Sequence, residues 1–184
     1  EQNRFDENRL FNLGLDAAVK VNRWESIKEY DLLDAEHHGY NRLKEPVLHR
    51  RLIFCDKQAN YWIIRDILTG RGLHHFDLYF HFAPLEIELD NEFRQVIKTK
   101  TKEANLAIIP LNTEDLSAEI DKGWVSHRYG IKVAAPIARY QKETGVPTEF
   151  SYILYPYKEA INLGEVIQRV KLSKVTDFLK TKET

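Results

Sequence analysis

The chain has 184 residues, a formal net charge of −1 and a single cysteine. That length fits one domain with room for a sizeable core. The near-zero charge argues against a general nucleic-acid binder, which carries a basic excess or stripe. One cysteine excludes an intrachain disulfide and a thiolate zinc cluster within the chain. No apolar run approaches the roughly 20 residues needed to cross a bilayer, so no membrane partner is expected. The polar start E-Q-N-R-F-D-E-N-R does not read as a signal peptide. The chain contains no methionine, and the expectation is a domain excised from a longer protein.

Residues 1–14 are polar, with no clear period. From Ala17 the pattern becomes strand-like: A-A-V-K-V-N-R-W alternates small or apolar with polar residues. K-E-Y-D-L-L-D-A-E-H-H follows and ends at Gly39. Val47 to Phe54 and Tyr61 to Leu68 make two further strands around the turn Asp56 to Asn60. The T-G-R-G turn then leads into Leu73 to Phe82, the cleanest strand in the sequence. There Phe76, Leu78, Phe80 and Phe82 share one parity, and His75, Asp77, Tyr79 and His81 share the other. Side chains two apart lie on one face, so the phenylalanine face is predicted to point inward.

Alternation resumes in L-E-I-E-L-D and F-R-Q-V-I-K-T-K around Asp90-Asn91-Glu92. Asn105 to Leu111 is a short strand, Gly123 to Gly130 a glycine-bounded loop, and V-A-A-P-I-A-R-Y another strand. Gly145 to Pro147 makes a turn before the last strong strand, Glu149 to Tyr157. E-V-I-Q-R-V-K-L reads as strand or short helix, and K-V-T-D-F-L-K-T-K-E-T as a frayed end. Short strands with turns every ten or so residues predict an all-β fold: one large antiparallel β-sandwich over residues 1–184, with little helix.

The chemical resources are modest. Cys55 sits in L-I-F-C and reads as a buried structural thiol. The seven histidines are His37, His38, His49, His74, His75, His81 and His127. His75 and His81 share a strand face but sit ~20 Å apart along it, and His37 and His38 point to opposite faces of a strand. No metal site is therefore expected, and no tight zinc binding. Nucleophile elbows, phosphate loops and dinucleotide fingerprints are absent. Trp124, Tyr129, Tyr152, Tyr155 and Tyr157 are candidates for stacking on sugars. Arg50, Arg51, Arg65 and Arg128 are candidates for pairing with carboxylates or sulfates. In a sheet protein the competing reading is that most such aromatics are core and most such arginines are solvated.

Five segments in order resemble the C-terminal β-domain of heparinase II/III-like polysaccharide lyases. They are E-H-H-G-Y-N-R-L (Glu36–Leu43), P-V-L-H-R-R (Pro46–Arg51), Trp62–His74, Phe76–Pro84 and G-W-V-S-H-R-Y-G (Gly123–Gly130). The family commonly has aspartate where this chain has His38. The resemblance implies a parent in which an N-terminal (α/α) toroid precedes the β-sandwich, with the site in the cleft between them. It implies β-elimination on uronate-containing acidic polysaccharide, and a bacterial periplasmic or secreted setting with the cytoplasm left open. The family's G-H-G-H-x-D-like and H-N-T segments lie before the part matched here, and neither occurs in this sequence. No catalytic or metal residue is therefore carried over, and no cofactor is expected in this chain. The expected substrate-binding residues are Arg51, Arg65, Trp124 and Tyr129. The alternative is a non-catalytic carbohydrate-binding or structural β-sandwich module.

Overall fold

The computed structural model describes residue 8, residues 17–158 and residues 160–172. The reading of residues 1–14 and the frayed-end reading of the tail fall largely outside these. The elements in chain order are β1 (Val19–Ser26), β2 (Tyr30–His37), a 3₁₀ turn (Gly39–Arg42), β3 (Val47–Asp56), β4 (Tyr61–Gly70), β5 (Leu73–His81), β6 (Ile87–Leu89), β7 (Ile97–Thr99), β8 (Asn105–Pro110), β9 (Ser117–Val125), β10 (Val133–Gly145), β11 (Thr148–Tyr157) and α1 (Leu163–Leu172). They form an eight-stranded sheet in the order β1-β2-β3-β4-β11-β8-β7-β6 and a three-stranded sheet in the order β5-β10-β9. Every strand pairing among the described residues is antiparallel. The predicted all-β antiparallel sandwich is what the chain forms.

Short local signals build the meander. Asp56 Oδ1 accepts the backbone N–H groups of Gln58 at 2.9 Å and Ala59 at 2.8 Å, which closes the β3–β4 turn. Gly72 leads into β5 with φ +90°, and a Cβ there would sit 2.1 Å from the Glu45 carboxylate. The chain thus leaves the large sheet after β4. It rejoins that sheet for β6 to β8, leaves again for β9 and β10, and comes back for β11 through the turn after β10, where the Val146–Pro147 peptide is cis.

The inward face of β5 is as the alternation predicts. Phe76, Leu78, Phe80 and Phe82 pack against a cluster that includes Val47, Leu68, Ile108, Tyr140, Phe150 and Tyr152. Phe80 meets Tyr140 edge-on at 5.9 Å and Tyr152 at 5.3 Å between ring centroids. This is the sandwich core, between the two sheets.

A second core lies on the far face of the large sheet. Leu32, Phe54, Tyr61, Ile63, Ala107, Ile109 and Ile153 meet Leu163, Val166 and Val170 of α1 there. The three helix positions are spaced to face one side. Asn162 caps the helix, its Oδ1 accepting the Glu165 N–H at 3.2 Å and its Nδ2 donating to Glu165 Oε1 at 2.9 Å. The ambiguous E-V-I-Q-R-V-K-L segment is therefore helical. Burial on both faces explains why β8 and β11 read as continuous apolar runs rather than alternating ones.

Three expectations are corrected. The expected strand over Phe93–Lys100 shrinks to β7. Asp90 Oδ1 accepts the N–H groups of Glu92 and Phe93 and turns the chain. The glycine-bounded loop over Gly123–Gly130 begins inside β9, a strand concealed by the charged run A-E-I-D-K. There Glu119 and Asp121 face outward to Arg139 on β10. Cys55 is half-buried rather than fully buried, and burial pushes its thiol up.

Candidate site: a histidine–aspartate–arginine floor beneath the sheet-edge cleft

The motif H-R-R in β3 is divided between two faces, because adjacent strand residues point opposite ways. Arg50 clamps Asp34 of β2 through Nε and Nη2 on the helix-covered side of the large sheet. Arg51 clamps its register partner Asp66 of β4 on the side facing the small sheet, with Nε to Oδ1 at 2.6 Å and Nη2 to Oδ2 at 2.9 Å.

His49 lies on the same face as Arg51. Its Nε2 sits 2.6 Å from Asp66 Oδ1, and its Nδ1 sits 2.9 Å from Nε2 of His37, its partner across β2 and β3. The Gly39 N–H donates to Nδ1 of His37 at 3.2 Å. One proton arrangement satisfies the whole chain. Since His37 Nδ1 is an acceptor, its proton is on Nε2 and points to His49 Nδ1. The His49 proton is then on Nε2 and points to Asp66. No nitrogen of either imidazole is left over for other chemistry.

The electrostatics follow from this packing. Burial acts to raise the Asp66 carboxyl, but the hydrogen bonds from His49 and Arg51 outweigh it and hold the group below the usual carboxylate range. Burial, then the neighbouring His49 and Arg51, push His37 below its ordinary value. Behind this floor the Tyr152 hydroxyl is buried with no partner, and burial raises it strongly.

Above the floor a cleft of about 710 Å³ runs along the free edge of β5. Tyr40, His49, Arg51 and Asp66 line one side, and His74, His75, Asp77 and Tyr79 the other. His75 pairs with Asp77 at 3.4 Å, and Gln141 donates to Asp77 Oδ1 at 2.8 Å. The Arg71 carbonyl lies 2.8 Å from His74 Nε2. Among the described residues no three His, Cys, Asp or Glu side chains converge as a metal-ion site.

The four substrate-binding candidates lie in separate places. Arg51 is on the cleft floor with its side chain 46% exposed. Arg65, next to Asp66, points to the opposite face, where it is 12% exposed and paired with Glu149. Trp124 lines a separate pocket of about 330 Å³ with His81, Phe82 and Pro136, and Lys132 lies 4.3 Å over its ring. Tyr129 is fully exposed in the loop after β9. Tyr152 is core, and Tyr155 and Tyr157 pack against the helix-side cluster. Sequence reasoning missed the His37–His49–Asp66 floor. Its signal is a pairing register, which joins residues 12 and 17 positions apart.

The family profile described as Heparinase II/III-like, C-terminal matches residues 2–161. Among solved structures, the chain resembles the heparan sulfate lyase HepC from Pedobacter heparinus. That match has 21% identity and a TM-score of 0.68, over 77% of this chain and 22% of that one. It also resembles a heparinase III at 16% identity and a TM-score of 0.65, over 79% of this chain and 22% of the other. The chain thus spans about a fifth of the length of these structures. A comparison with curated proteins finds no match. With the family matched across most of its length and the same fold in these structures, the chain belongs to the heparinase II/III-like C-terminal domain family.

Proposed function

We propose that this chain is the β-domain of a polysaccharide lyase that acts on uronate-containing acidic polysaccharide by β-elimination, and that it supplies one wall of the substrate cleft. The observation that carries the reading is the family match over residues 2–161. The matched structures named for heparan sulfate lyase and heparinase support the substrate class. In this reading the rest of the site comes from a helical toroid domain of the same parent.

The chain's own residues define what that wall does. β-Elimination needs a base at the proton beside the carboxylate, a group that neutralises the carboxylate, and an acid for the leaving oxygen. His37 and His49 have both ring nitrogens engaged and act as structure. Tyr152 is sealed in the core. What the cleft offers is an arginine edge and polar side chains on β5, suited to holding a charged sugar. Formation of the unsaturated uronate, followed by its ultraviolet absorbance, tests the reading in the full-length parent. A parent that leaves uronate polysaccharides uncleaved under all conditions overturns it. The exposed Trp124 and Tyr129 favour a second reading, a carbohydrate-binding module. It wins if a Trp124→Ala parent loses glycan binding but no parent cleaves.

A further inference from the structure

The geometry points to Arg51 as the recognition element for a single carboxylate-bearing sugar residue in the cleft between β3–β4 and the β5 edge. In this assignment Asp66, His49 and His37 act as positioning residues behind it. The assignment rests on the acidic-polysaccharide reading and narrows it to one place and one contact.

A guanidinium offers two edges for paired hydrogen bonding. Asp66 takes the Nε–Nη2 edge of Arg51. Nη1 and the second Nη2 hydrogen lie on the outer edge, and the side chain is 46% exposed in the cleft. That edge matches a carboxylate in width and plane. Arg65 is closed off by burial, and Arg50 lies on the other face with Asp34. Arg51 is thus the framework arginine that opens into the cleft among the described residues.

A recognising arginine must be held still, because a freely rotating one loses side-chain entropy on binding. Asp66 is itself fixed, with its side chain 2% exposed and Oδ1 shared between Arg51 and His49. His49 is fixed in turn by His37, and His37 by the Gly39 N–H. The chain runs without a break from the 3₁₀ turn to the guanidinium. The Asp66 charge is offset by Arg51, so recognition here depends on paired geometry more than on net charge. Across the cleft, the Asp77 carboxylate is turned to Gln141 and His75. Glu143 lies in register with His75 on β10. Tyr79, on the outward face of β5 and 51% exposed, stands at the rim of the cleft, where its ring can meet the C–H side of a pyranose that extends past the β5 edge.

The test is calorimetric titration of residues 1–184 at low salt with a size-defined glucuronate-containing tetrasaccharide and its carboxyl-reduced counterpart. Chemical shifts are mapped in parallel. The acidic form is expected to bind at least about tenfold tighter than the reduced form, with shifts centred on His49, Arg51 and Tyr79. Arg51→Lys is expected to lose about tenfold, since an ammonium cannot pair bidentately. Should Arg51→Lys fail to fold, Tyr79→Ala and His75→Ala on the opposite wall decide, each expected to weaken binding several-fold. His49→Gln is expected to lower affinity less than Arg51→Lys and to reduce the selectivity for the acidic form without abolishing it. Shifts centred on Trp124, or a folded Arg51→Lys with unchanged affinity, overturn the assignment and leave the acidic-polysaccharide reading standing. Equal affinity for the two tetrasaccharides overturns the carboxylate contact. Binding of neither removes both the assignment and the substrate-wall reading of this chain.

Discussion

His37 and His49 face each other across β2 and β3, with Nε2 of the first 2.9 Å from Nδ1 of the second. Two neutral imidazoles fit this geometry in one proton order, set at one end by the Gly39 N–H and at the other by the Asp66 carboxylate. The arrangement links the 3₁₀ turn, which carries the cleft residue Tyr40, to the salt bridge on the cleft floor.

Both histidines are expected to be Nε2–H tautomers at neutral pH. Long-range ¹H–¹⁵N correlation spectra of the two rings check this. An Nδ1–H signal from His37 would show that the Gly39 contact is not formed.

Stability is expected to fall on mild acidification. His37 is pushed below its ordinary value of 6.5, so the folded state stays neutral where the unfolded state already binds a proton. Its contribution is complete above the unfolded value and is lost as pH drops through the folded one. Urea midpoints measured from pH 7.5 down to 5 should decline, and His37→Asn should flatten that decline. The lowered Asp66 and Asp34 carboxyls add a second loss, which begins as pH approaches their ordinary value of 3.8 from above and continues below it.

The two arginine clamps are expected to differ in weight. Asp66→Ala strands Arg51 and His49 around a buried gap and is expected to cost about 3 kcal/mol. Asp34→Ala removes a clamp whose arginine is about one-third exposed, and is expected to cost about 1 kcal/mol. Chemical denaturation of the two variants decides; equal losses would mean that the histidine chain adds nothing to Asp66.

Phe80→Ala removes the ring that joins β5 to Tyr140 and Tyr152. The expected cost is about 3 kcal/mol, from lost burial and the cavity left behind. Because β5 also forms one wall of the cleft, glycan binding should weaken with it, as read by the same titration at a temperature where the variant is folded.

Residues 1–184 alone are expected to give no lyase turnover on heparin, heparan sulfate or alginate. In the proposed reading this chain supplies one wall of the parent's substrate cleft, and the two histidines on its floor have both ring nitrogens engaged. Appearance of unsaturated uronate with the purified chain, abolished by a single histidine substitution, would show that a complete acid–base pair is present here.

Much of this protein was legible in the linear pattern. Period-two alternation named the inward Phe76, Leu78, Phe80 and Phe82, because the strand repeat leaves no other way to bury all four. Turn residues set the β3–β4 hairpin, since Asp56 closes it locally. The ordered segments from Glu36 to Gly130 pointed to the family. What needed the tertiary structure was every feature made by residues distant along the chain. The helical state of residues 163–172 depends on a sheet face to cover, which the segment's own composition does not reveal. β9 was hidden because Glu119 and Asp121 look like loop residues until Arg139 stands beside them. Arg51 and Arg65 looked equivalent as surface cations, but the pairing of Arg51 with Asp66 puts Arg65 on the opposite face. Two of the seven scattered histidines became an ordered pair because strand register brings His37 to His49, and register is a property of packed sheets rather than of any single segment.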